Sequence, residues 1–206
     1  MRRTLATACL TLMLPCTAMA LTIEVEGLAK DGEIHKTHAK CIATIDGKST
    51  AGENIRPRVS WEGAPKGTLS YAIVVSDPDV PADLRLANKK DTTISKNDDR
   101  QTFYHWVHFN IPPEVHAMPA GSTFGYGTAA KNTVSNSPRY DGPCPPWNDE
   151  KLHHYHFKII ALDVKKIELE SGADTLDALE AINAHSIGEV ERVGTYTLNP
   201  TMRDGL

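Results

Sequence analysis

The amino-acid sequence predicts a mainly β domain in which two sheets pack together, with one helical segment near the C-terminus. Three observations support this fold class. Residues 21–25 alternate between apolar and polar side chains, as in a strand with one buried face. Residues 69–75 are almost continuously apolar and rich in β-branched side chains, as in a strand covered on both faces. Residues 175–185 are the one segment with convincing helical periodicity.

The first half of the chain alternates strands with polar connections. Residues 41–45 are predicted to form a short strand that ends at the turn Asp46-Gly47. The strand over residues 69–75 is predicted to stop at residues 76–79, because the proline in that stretch removes a ladder donor and forces a loop. Residues 83–100 are polar and dense in charge, and they are predicted to form a long solvated loop.

The second half of the chain is also dominated by strands. Strand character returns at residues 103–111 and ends at the pair Pro112-Pro113. Residues 121–150 contain many Gly, Pro, Asn and Ser residues, which predicts mostly loop. Residues 153–162 form the strongest strand pattern of this half, and residues 194–198 predict a final strand.

The predicted helix has a recognisable start. Asp174 precedes it, and an aspartate side chain can cap the free N–H groups of a first helical turn. Leu176, Leu179 and Ile182 recur at helical spacing, so they are predicted to form its buried face.

Length and composition place the chain among ordinary globular proteins. It has 206 residues, of which 40% are hydrophobic and 23% charged, a size and balance that fit one domain. Lys plus Arg number 22 and Asp plus Glu number 26, so the formal net charge is −4. Nucleic-acid-binding domains normally carry a strongly basic stripe, so this composition argues against that class.

The first twenty residues predict a secretory signal peptide. Arg2-Arg3 precedes the apolar stretch 5–14, and Ala18-Met19-Ala20 fits a small-x-small cleavage site. The apolar stretch is shorter than the roughly 20 residues of a membrane-spanning helix, so no transmembrane anchor is expected after cleavage. Cleavage would leave a single domain over residues 21–206, and losing both arginines would change the charge from −4 to −6. The expected location is periplasmic or secreted.

Cleavage also changes the cysteine content. Cys9 and Cys16 leave with the signal peptide, so Cys41 and Cys144 remain. In an oxidising compartment these two can form a disulfide, and two buried free thiols fit the sequence as well. Neither the Cys-x-x-Cys nor the Cys/His spacing of a zinc site is present.

Two polar segments of the middle region are candidates for a site. Residues 76–81 carry the Asp77 carboxylate in a stretch stiffened by prolines, which also suits a plain turn. Residues 104–109 form a strand on which alternation places Trp106 and His108 on one face. That pair predicts a pocket wall with a titratable donor, and a core tryptophan beside a hydrogen-bonded histidine fits equally. The opposite face of this strand takes His105, Val107 and Phe109.

A third polar segment contains Gly142-Pro-Cys-Pro-Pro146 followed by a histidine-rich strand. Alternation places His153 and Tyr155 on one face, and His154 and His156 on the other. This division of the histidines argues against a three-histidine metal site, so no metal is predicted. The sequence also lacks a Gly-x-Ser-x-Gly nucleophile motif. The remaining Asp and His groups could either support hydrolysis or hold an anion.

These segments, in this order, resemble the phosphatidylethanolamine-binding protein family, specifically its bacterial Raf-kinase-inhibitor-like branch. The resemblance extends over most of the chain beyond residue 20. It is carried by the motifs Asn54–Trp61, Asp77–Pro81, Trp106–Pro112, Gly142–Pro146, His153–Tyr155 and Ala161–Asp163. His154 departs from the pattern, because the family often has arginine at that place.

The resemblance implies a β-sandwich with a small preformed pocket that takes phosphate, phosphorylethanolamine or carboxylate groups, without a cofactor. Asp77 matches the acidic residue of that pocket. His108 and His153 match its two histidines, and Tyr155 matches the aromatic residue that follows. The walls and rim would be formed by Trp106, Gly142, Pro145 and Pro146. Bacterial relatives often carry both cysteines, so the resemblance also implies a Cys41–Cys144 disulfide.

The expected function is therefore non-enzymatic binding of a small anionic ligand or phospholipid headgroup by an exported protein. An alternative is a protein-interaction module that inhibits a kinase-like or protease-like target through the pocket rim and residues 83–100. A third possibility is a hydrolase. If His108 and His153 hold the anion, affinity should rise as the pH falls through about 6.5, where histidine normally titrates.

Overall fold

The computed structural model of the protein describes residues 20–121 and 125–203. Apart from Ala20, the predicted signal peptide lies outside the described residues. The strands are β1 (Thr22–Val25), β2 (Cys41–Ala43), β3 (Ser49–Ala51), β4 (Val59–Glu62), β5 (Ser70–Pro81), β6 (Arg100–Ile111), β7 (Ala117–Met118), β8 (Thr128–Ala129), β9 (His153–Leu162) and β10 (Ser186–Tyr196). The α-helices are α1 (Thr175–Ala184) and α2 (Pro200–Arg203).

The strands form three antiparallel sheets. The largest has the order β10-β9-β5-β6-β8, so β5 is its central strand and the long strands β9 and β6 lie on either side of it. A three-stranded sheet has the order β1-β4-β7, and β2 pairs with β3 in a separate hairpin. The predicted mainly β fold with two packed sheets is confirmed, and the hairpin is an addition to it.

The main core lies between the five-stranded and the three-stranded sheets. Trp61 of β4 and Met118 of β7 pack there against the buried face of β5, β6 and β9. A second apolar cluster covers the other face of the large sheet, where Ala178 and Ile182 of α1 contact it. Among the described residues, no helix is long and apolar enough to span a membrane.

Strand β5 continues beyond the point where the sequence predicted it to stop. It runs through Asp77 to Pro81, and its pairing with β6 shifts register between Asp77 and Val80. Pro78 lies in that irregular stretch, where the ladder does not require its missing N–H group. The prediction of a loop at residues 76–79 was wrong, because Asp77 lies within β5 and pairs with Phe103 of β6.

Strand β6 contains a bulge that alternation could not predict. Val75 pairs with Trp106 while the next residue, Ser76, pairs with Tyr104, so His105 is an extra residue without a partner on β5. An extra residue interrupts the regular in-and-out alternation of side chains. His105 is consequently buried beside β9, on the side where alternation had placed only Trp106 and His108.

Residues 83–100 are more ordered than a solvated loop. A short 3-10 helix spans Leu84–Leu86, and Ile94 is buried and forms a bridge with Asp149. The Asn148 amide donates to the carbonyl oxygens of Leu86 and Thr92 at 3.0 and 2.9 Å. These bonds hold the 83–100 segment against residues 147–150.

The C-terminal elements differ in detail from the prediction. Asp174 caps α1 as expected, accepting a hydrogen bond from the Leu176 backbone N–H at 2.8 Å. Leu176 is nevertheless 66% exposed, and the helix buries Thr175, Ala178 and Ile182 instead. The buried face therefore begins at Thr175, one residue earlier than predicted. Strand β10 begins at Ser186, eight residues before its predicted start.

Candidate ligand-binding site

The centre of the candidate site is a buried contact between Asp77 and His153. Their strands, β5 and β9, are neighbours in the large sheet, and the His153 Nδ1–Asp77 Oδ2 distance is 2.7 Å. Both residues are 1% exposed. The other Asp77 oxygen accepts the backbone N–H of Asp79 at 2.8 Å, which fixes the carboxylate orientation. The structure therefore brings these two predicted site residues together.

His153 is held by a second carboxylate on its other side. Its Nε2 lies 3.2 Å from Asp149 Oδ2, and Arg100 donates two hydrogen bonds to the same carboxylate, at 2.6 and 3.1 Å. Burial lowers the pKa of His153, but the hydrogen bonds and charges of Asp149 and Asp77 outweigh burial and raise it to about 9. His153 is thus an imidazolium at neutral pH, and both its N–H groups are committed to carboxylates.

His105 is the second histidine of this region. Its Nδ1 lies 2.8 Å from the Asp141 carbonyl oxygen, which can only accept a hydrogen bond, so Nδ1 carries the proton. Burial is the largest cause of its lowered pKa, and His105 is therefore neutral at neutral pH. Its Nε2 atom then carries a lone pair and acts as an acceptor.

Tyr155 lies between the two histidines. Its ring stacks with His153 at a centroid distance of 6.5 Å and meets His105 edge-on at 5.2 Å. Burial raises the pKa of Tyr155, and so do the negative charge of Asp77 and the approach of the hydroxyl to that carboxylate, so the hydroxyl keeps its proton. Among the described residues, neither the Tyr155 hydroxyl nor His105 Nε2 has a partner in hydrogen-bond geometry. Two buried polar atoms on contacting rings thus lack a bond.

His108 lies elsewhere on the same strand. It pairs with Ile73 of β5, four residues from Asp77, which corresponds to about 13 Å along a strand. Its Nε2 donates to the Tyr126 carbonyl oxygen at 3.0 Å, and burial lowers its pKa to about 4. The predicted neighbour relation with Trp106 is confirmed, since their ring centroids are 5.9 Å apart. The structure nevertheless does not bring His108 to Asp77 and His153.

Trp106 belongs to the core near His108. Its indole meets Tyr140 edge-on at 6.2 Å, and the guanidinium of Arg56 lies over its ring at 5.2 Å. The residue is 1% exposed. The structure therefore places Trp106 in the core beside His108 and Tyr140.

The Gly142–Pro146 segment runs along the candidate site and is fixed at both ends. The Gly142 backbone N–H donates to Asn54 at 2.7 Å, and an added Cβ there would collide with the His38 carbonyl oxygen. Pro145 and Pro146 are buried, and the Pro146 carbonyl accepts the Asp149 N–H at 3.1 Å. The predicted disulfide is present, because Cys41 and Cys144 are bonded.

Asp141 positions this segment from behind. Its fully buried carboxylate accepts from Lys40 at 3.0 Å and from Asn54 at 3.1 Å, and Ser135 also bonds to it. Burial raises its pKa, but these hydrogen bonds outweigh burial and lower it overall. A firmly held Asp141 fixes the carbonyl oxygen that sets the tautomer of His105.

The other histidines of β9 point away from the site, as alternation predicted. His154 Nδ1 lies 2.8 Å from Asp79, and His156 Nδ1 lies 3.2 Å from Glu191. Within residues 20–121 and 125–203, no group of three His, Cys, Asp or Glu side chains is arranged to hold a metal ion.

Sequence reasoning missed three groups of the site: Arg100, His105 and Asp149. The bulge in β6 hid His105, since regular alternation assigns it to the opposite face. Asp149 and Arg100 lie in stretches that composition marks as loop or strand start, 49 residues apart. Asp149 stands four residues before His153, and that acid–histidine spacing was the one signal that pointed to it.

Comparisons with known proteins agree with this fold. The family model described as phosphatidylethanolamine-binding protein matches residues 28–197. The UPF0098 protein of Methanothermobacter thermautotrophicus is 35% identical over 155 residues, which cover 70% of this chain and 84% of the relative. The UPF0098 protein YbcL of Escherichia coli is 29% identical over 160 residues, covering 75% of this chain and 78% of YbcL.

Two solved structures have the same fold. The crystal structure of Escherichia coli YbcL, described as a new member of the mammalian PEBP family, has a TM-score of 0.68 and 24% identity, covering 87% of this chain and 99% of YbcL. The putative PEBP homologue CT736 of Chlamydia trachomatis has a TM-score of 0.65 and 27% identity, covering 86% of this chain and 97% of CT736.

Proposed function

This chain belongs to the phosphatidylethanolamine-binding protein family, and on that premise we propose that its Asp77–His153 site binds the phosphate or carboxylate group of a small anion. Phosphorylethanolamine and other headgroup fragments fall in this class. The protein would act as a binding protein without catalytic turnover, exported to the periplasm or secreted.

The observation that carries this proposal is the pair of buried atoms without partners, His105 Nε2 and the Tyr155 hydroxyl. Buried polar groups are nearly always hydrogen-bonded in native proteins, and each exception needs an explanation such as a bound ligand or water. A ligand group that accepts from the Tyr155 hydroxyl and donates to His105 Nε2 would complete both bonds. Both side chains are at most 4% exposed, so a bound ligand group would be enclosed. Its entry requires the residues around these side chains to move apart transiently.

The charges around the site tolerate an anion. Protonated His153 and Arg100 offset the carboxylates of Asp77 and Asp149, so an incoming oxyanion meets a balanced network. His105 contributes no charge of its own. Since His153 is already ionised at neutral pH, its titration cannot produce the rise in affinity near pH 6.5 expected from the sequence.

The proposal of binding without turnover has its own support. Cys144, the cysteine of the neighbouring segment, is in a disulfide, so it has no thiolate to act as a nucleophile. Both N–H groups of His153 are held by carboxylates, so His153 itself has no free nitrogen for general-base chemistry. The role of a protein-interaction module has less support, because residues 83–100 are bonded to Asn148 rather than extended for recognition.

The experiment that tests the proposal is calorimetric titration of phosphate and phosphorylethanolamine into the mature protein and two tyrosine variants. Tyr155→Phe removes a hydroxyl without a partner among the described residues, so it should weaken binding at least tenfold and leave the unfolding free energy unchanged or raised. Tyr140→Phe is the matched control, because its hydroxyl donates to the His38 carbonyl at 3.0 Å. It should cost about 1 kcal/mol of stability and keep the affinity.

Two results would count against the proposal. If the wild-type protein binds no phosphate, phosphorylethanolamine or small carboxylate, anion binding is not its function. If binding survives in Tyr155→Phe but is lost in Tyr140→Phe, the anion binds elsewhere in the molecule.

A further inference from the structure

We propose that residues 83–100 position the candidate site from outside, by holding Asp149 against His153. The inference rests on the proposed function and adds residues that determine the affinity of the site without touching the ligand. It follows from the contacts that join residues 83–100 to residues 147–150, and from the hydrogen bond that joins Asp149 to His153.

The side chain of Asn148 joins the two segments. Its amide donates to the carbonyl oxygens of Leu86 and Thr92, and its Oδ1 accepts the Asn88 backbone N–H at 2.8 Å. Asn88 returns the contact, because its own Oδ1 accepts the Trp147 N–H at 3.0 Å. Asn148 is 7% exposed, so its bonds are largely shielded from water. The two segments are therefore joined by reciprocal asparagine contacts.

The backbone of Ile94 connects the two segments a second time. Its N–H donates to the Asn148 carbonyl and its carbonyl accepts the Glu150 N–H, both at 3.0 Å. These bonds lie on either side of Asp149 in the chain, and the Asn199 amide donates to the Asp149 carbonyl at 2.8 Å. Because Ile94 is buried, this connection lies inside the protein. The backbone of Asp149 is thus fixed by a residue of the 83–100 segment.

Arg100 fixes the side chain of Asp149. Its guanidinium donates to both oxygens of that carboxylate and also to the carbonyl oxygens of Ser95 and Asp79. A guanidinium that binds a carboxylate through two bonds sets its orientation as well as neutralising its charge. In this orientation one oxygen of Asp149 lies 3.2 Å from His153 Nε2.

The charge of His153 depends on this series of contacts. The carboxylates that face it are Asp77 of β5 and Asp149, and its neutral neighbours are Tyr155 and His105. Burial lowers the pKa of His153, but the hydrogen bonds and charges of the two carboxylates raise it overall to about 9. If Asp149 moves away, one of these two partners is lost and His153 becomes partly neutral at mildly alkaline pH. An incoming oxyanion then meets Asp77 with less positive charge to offset it.

The test uses two variants, with inorganic phosphate as the ligand. Asn148→Ala removes the asparagine contacts, and Arg100→Lys keeps the positive charge but cannot make both bonds to Asp149. In both variants the pKa of His153, measured by NMR, should fall from about 9 toward the ordinary histidine range. Phosphate affinity, measured by calorimetry near pH 8, should fall at least about fivefold. The loss should be smaller near pH 6, where His153 is mostly protonated in all three proteins.

Asn110 provides the matched control. It also joins a strand to a remote segment, because its Oδ1 accepts the Ile167 N–H at 2.7 Å and its amide donates to the Ile167 carbonyl at 3.0 Å. Its φ is +59°, which glycine adopts without strain, so Asn110→Gly removes the side-chain contacts and keeps the backbone conformation. This variant should lose stability but keep the pKa of His153 and the phosphate affinity at both pH values.

Coupling between the segment and the site must act in both directions. If residues 83–100 raise the affinity for phosphate, saturating phosphate slows the opening of this segment by a similar factor. Hydrogen exchange of the Ile94 amide, which donates to Asn148, reports that opening. We expect phosphate to slow this exchange at least about fivefold in the wild-type protein. The Ile167 amide, which donates to Asn110, should show no comparable change.

The outcomes separate this inference from the proposed function. If wild-type protein, Asn148→Ala and Arg100→Lys bind phosphate equally at both pH values, the inference is overturned while anion binding stands. If the wild-type protein binds no oxyanion, the proposed function falls, and an unchanged pKa of His153 in the variants overturns the positioning role as well. If neither variant folds, equal exchange of the Ile94 amide with and without bound phosphate overturns the inference.

Discussion

His153 and His108 are two equally buried imidazoles of one sheet, yet at neutral pH His153 is positively charged and His108 is neutral. Each is at most 2% exposed, and the pKa of His153 is raised to about 9 whereas that of His108 is lowered to about 4. Burial disfavours the charged form at both positions. The difference comes from their partners, since His153 lies between two carboxylates and His108 bonds to the Tyr126 carbonyl.

This comparison separates the site from the core. The His153 region holds paired charges and two polar atoms without partners, which is a chemical arrangement that a ligand can complete. The His108 region packs against Trp106 and beside Gly127, where an added Cβ would collide with the His108 ring. Both carry a histidine in a recognisable motif, but the first holds its imidazolium between two carboxylates, whereas the second holds a neutral imidazole against a carbonyl oxygen.

The largest expected effect comes from the disulfide, which restrains the His153 region. Cys41 and Cys144 are 103 residues apart, and closing so long a loop stabilises by up to about 4–5 kcal/mol in the chain-entropy model. Urea unfolding with and without reductant should show a loss approaching that size. Histidine NMR signals should change more for His153 than for His108, because Cys144 lies in the segment leading to Asp149.

The control for that experiment is the double variant Cys41→Ala/Cys144→Ala, whose stability should not respond to reductant. Two free thiols per chain in denatured, unreduced protein would contradict the bridge.

A smaller effect is expected from breaking the charged network. In His153→Gln, Asp77 and Asp149 lose the cation between them, and removing one partner of a buried ion pair costs about 3–5 kcal/mol. His108→Gln should lower the unfolding free energy by about 1–2 kcal/mol, because it disturbs a hydrogen bond to the neutral Tyr126 carbonyl. Chemical unfolding of both variants measures the difference, and equal losses would remove the distinction between the two regions.

The two histidines should also affect stability on opposite sides of neutral pH. The pKa of His153 is raised in the fold, so its contribution is full below about 6.5 and is lost as the pH rises to about 9. The pKa of His108 is lowered to about 4, so its contribution is full above about 6.5 and is lost as the pH falls to about 4. Each shift corresponds to about 3 kcal/mol.

Unfolding free energies measured across these two windows check the signs. His153→Gln should flatten the alkaline decline and leave the acid decline, and His108→Gln should do the reverse. His105, whose pKa is also lowered by burial, adds to the acid decline in both variants. An alkaline decline that persists in His153→Gln would show that another group causes it.

The smallest effect is expected one residue from His153. His154 lies on the opposite face of β9, its side chain is 45% exposed, and it pairs with Asp79. Exposed ion pairs contribute at most about 1 kcal/mol, so His154→Ala should cost less than that in urea unfolding. A loss as large as that of His153→Gln would mean that the two faces of β9 are not distinct in energy.

Much of the fold could be predicted because periodicity is a local property. Strand β9 begins and ends where its alternation predicts, and α1 starts after its Asp174 cap. Strand β10 was underestimated because it is the edge strand of the large sheet. Its exposed Glu189, Glu191 and Arg192 interrupt the apolar pattern.

The site could be predicted only in part, because a bulge depends on pairing with a neighbouring strand. Asp77, His153 and Tyr155 were placed together correctly from motif and alternation. His105 was not, since the extra residue in β6 becomes visible only in the register with β5. Asp149 depends on the packing of the 141–150 segment, which composition alone describes as loop.

The most direct test of the account is to titrate the purified protein with phosphate and to follow the NMR signals of its imidazole groups. The account predicts that the His105 ring signals shift with saturation, while those of His108 stay unchanged in the same sample. The Asp141 carbonyl should keep the proton of free His105 on Nδ1 throughout. Saturable shifts of His108 with no response of His105 would contradict the account, because they would place the anion at the other end of this stretch of β6.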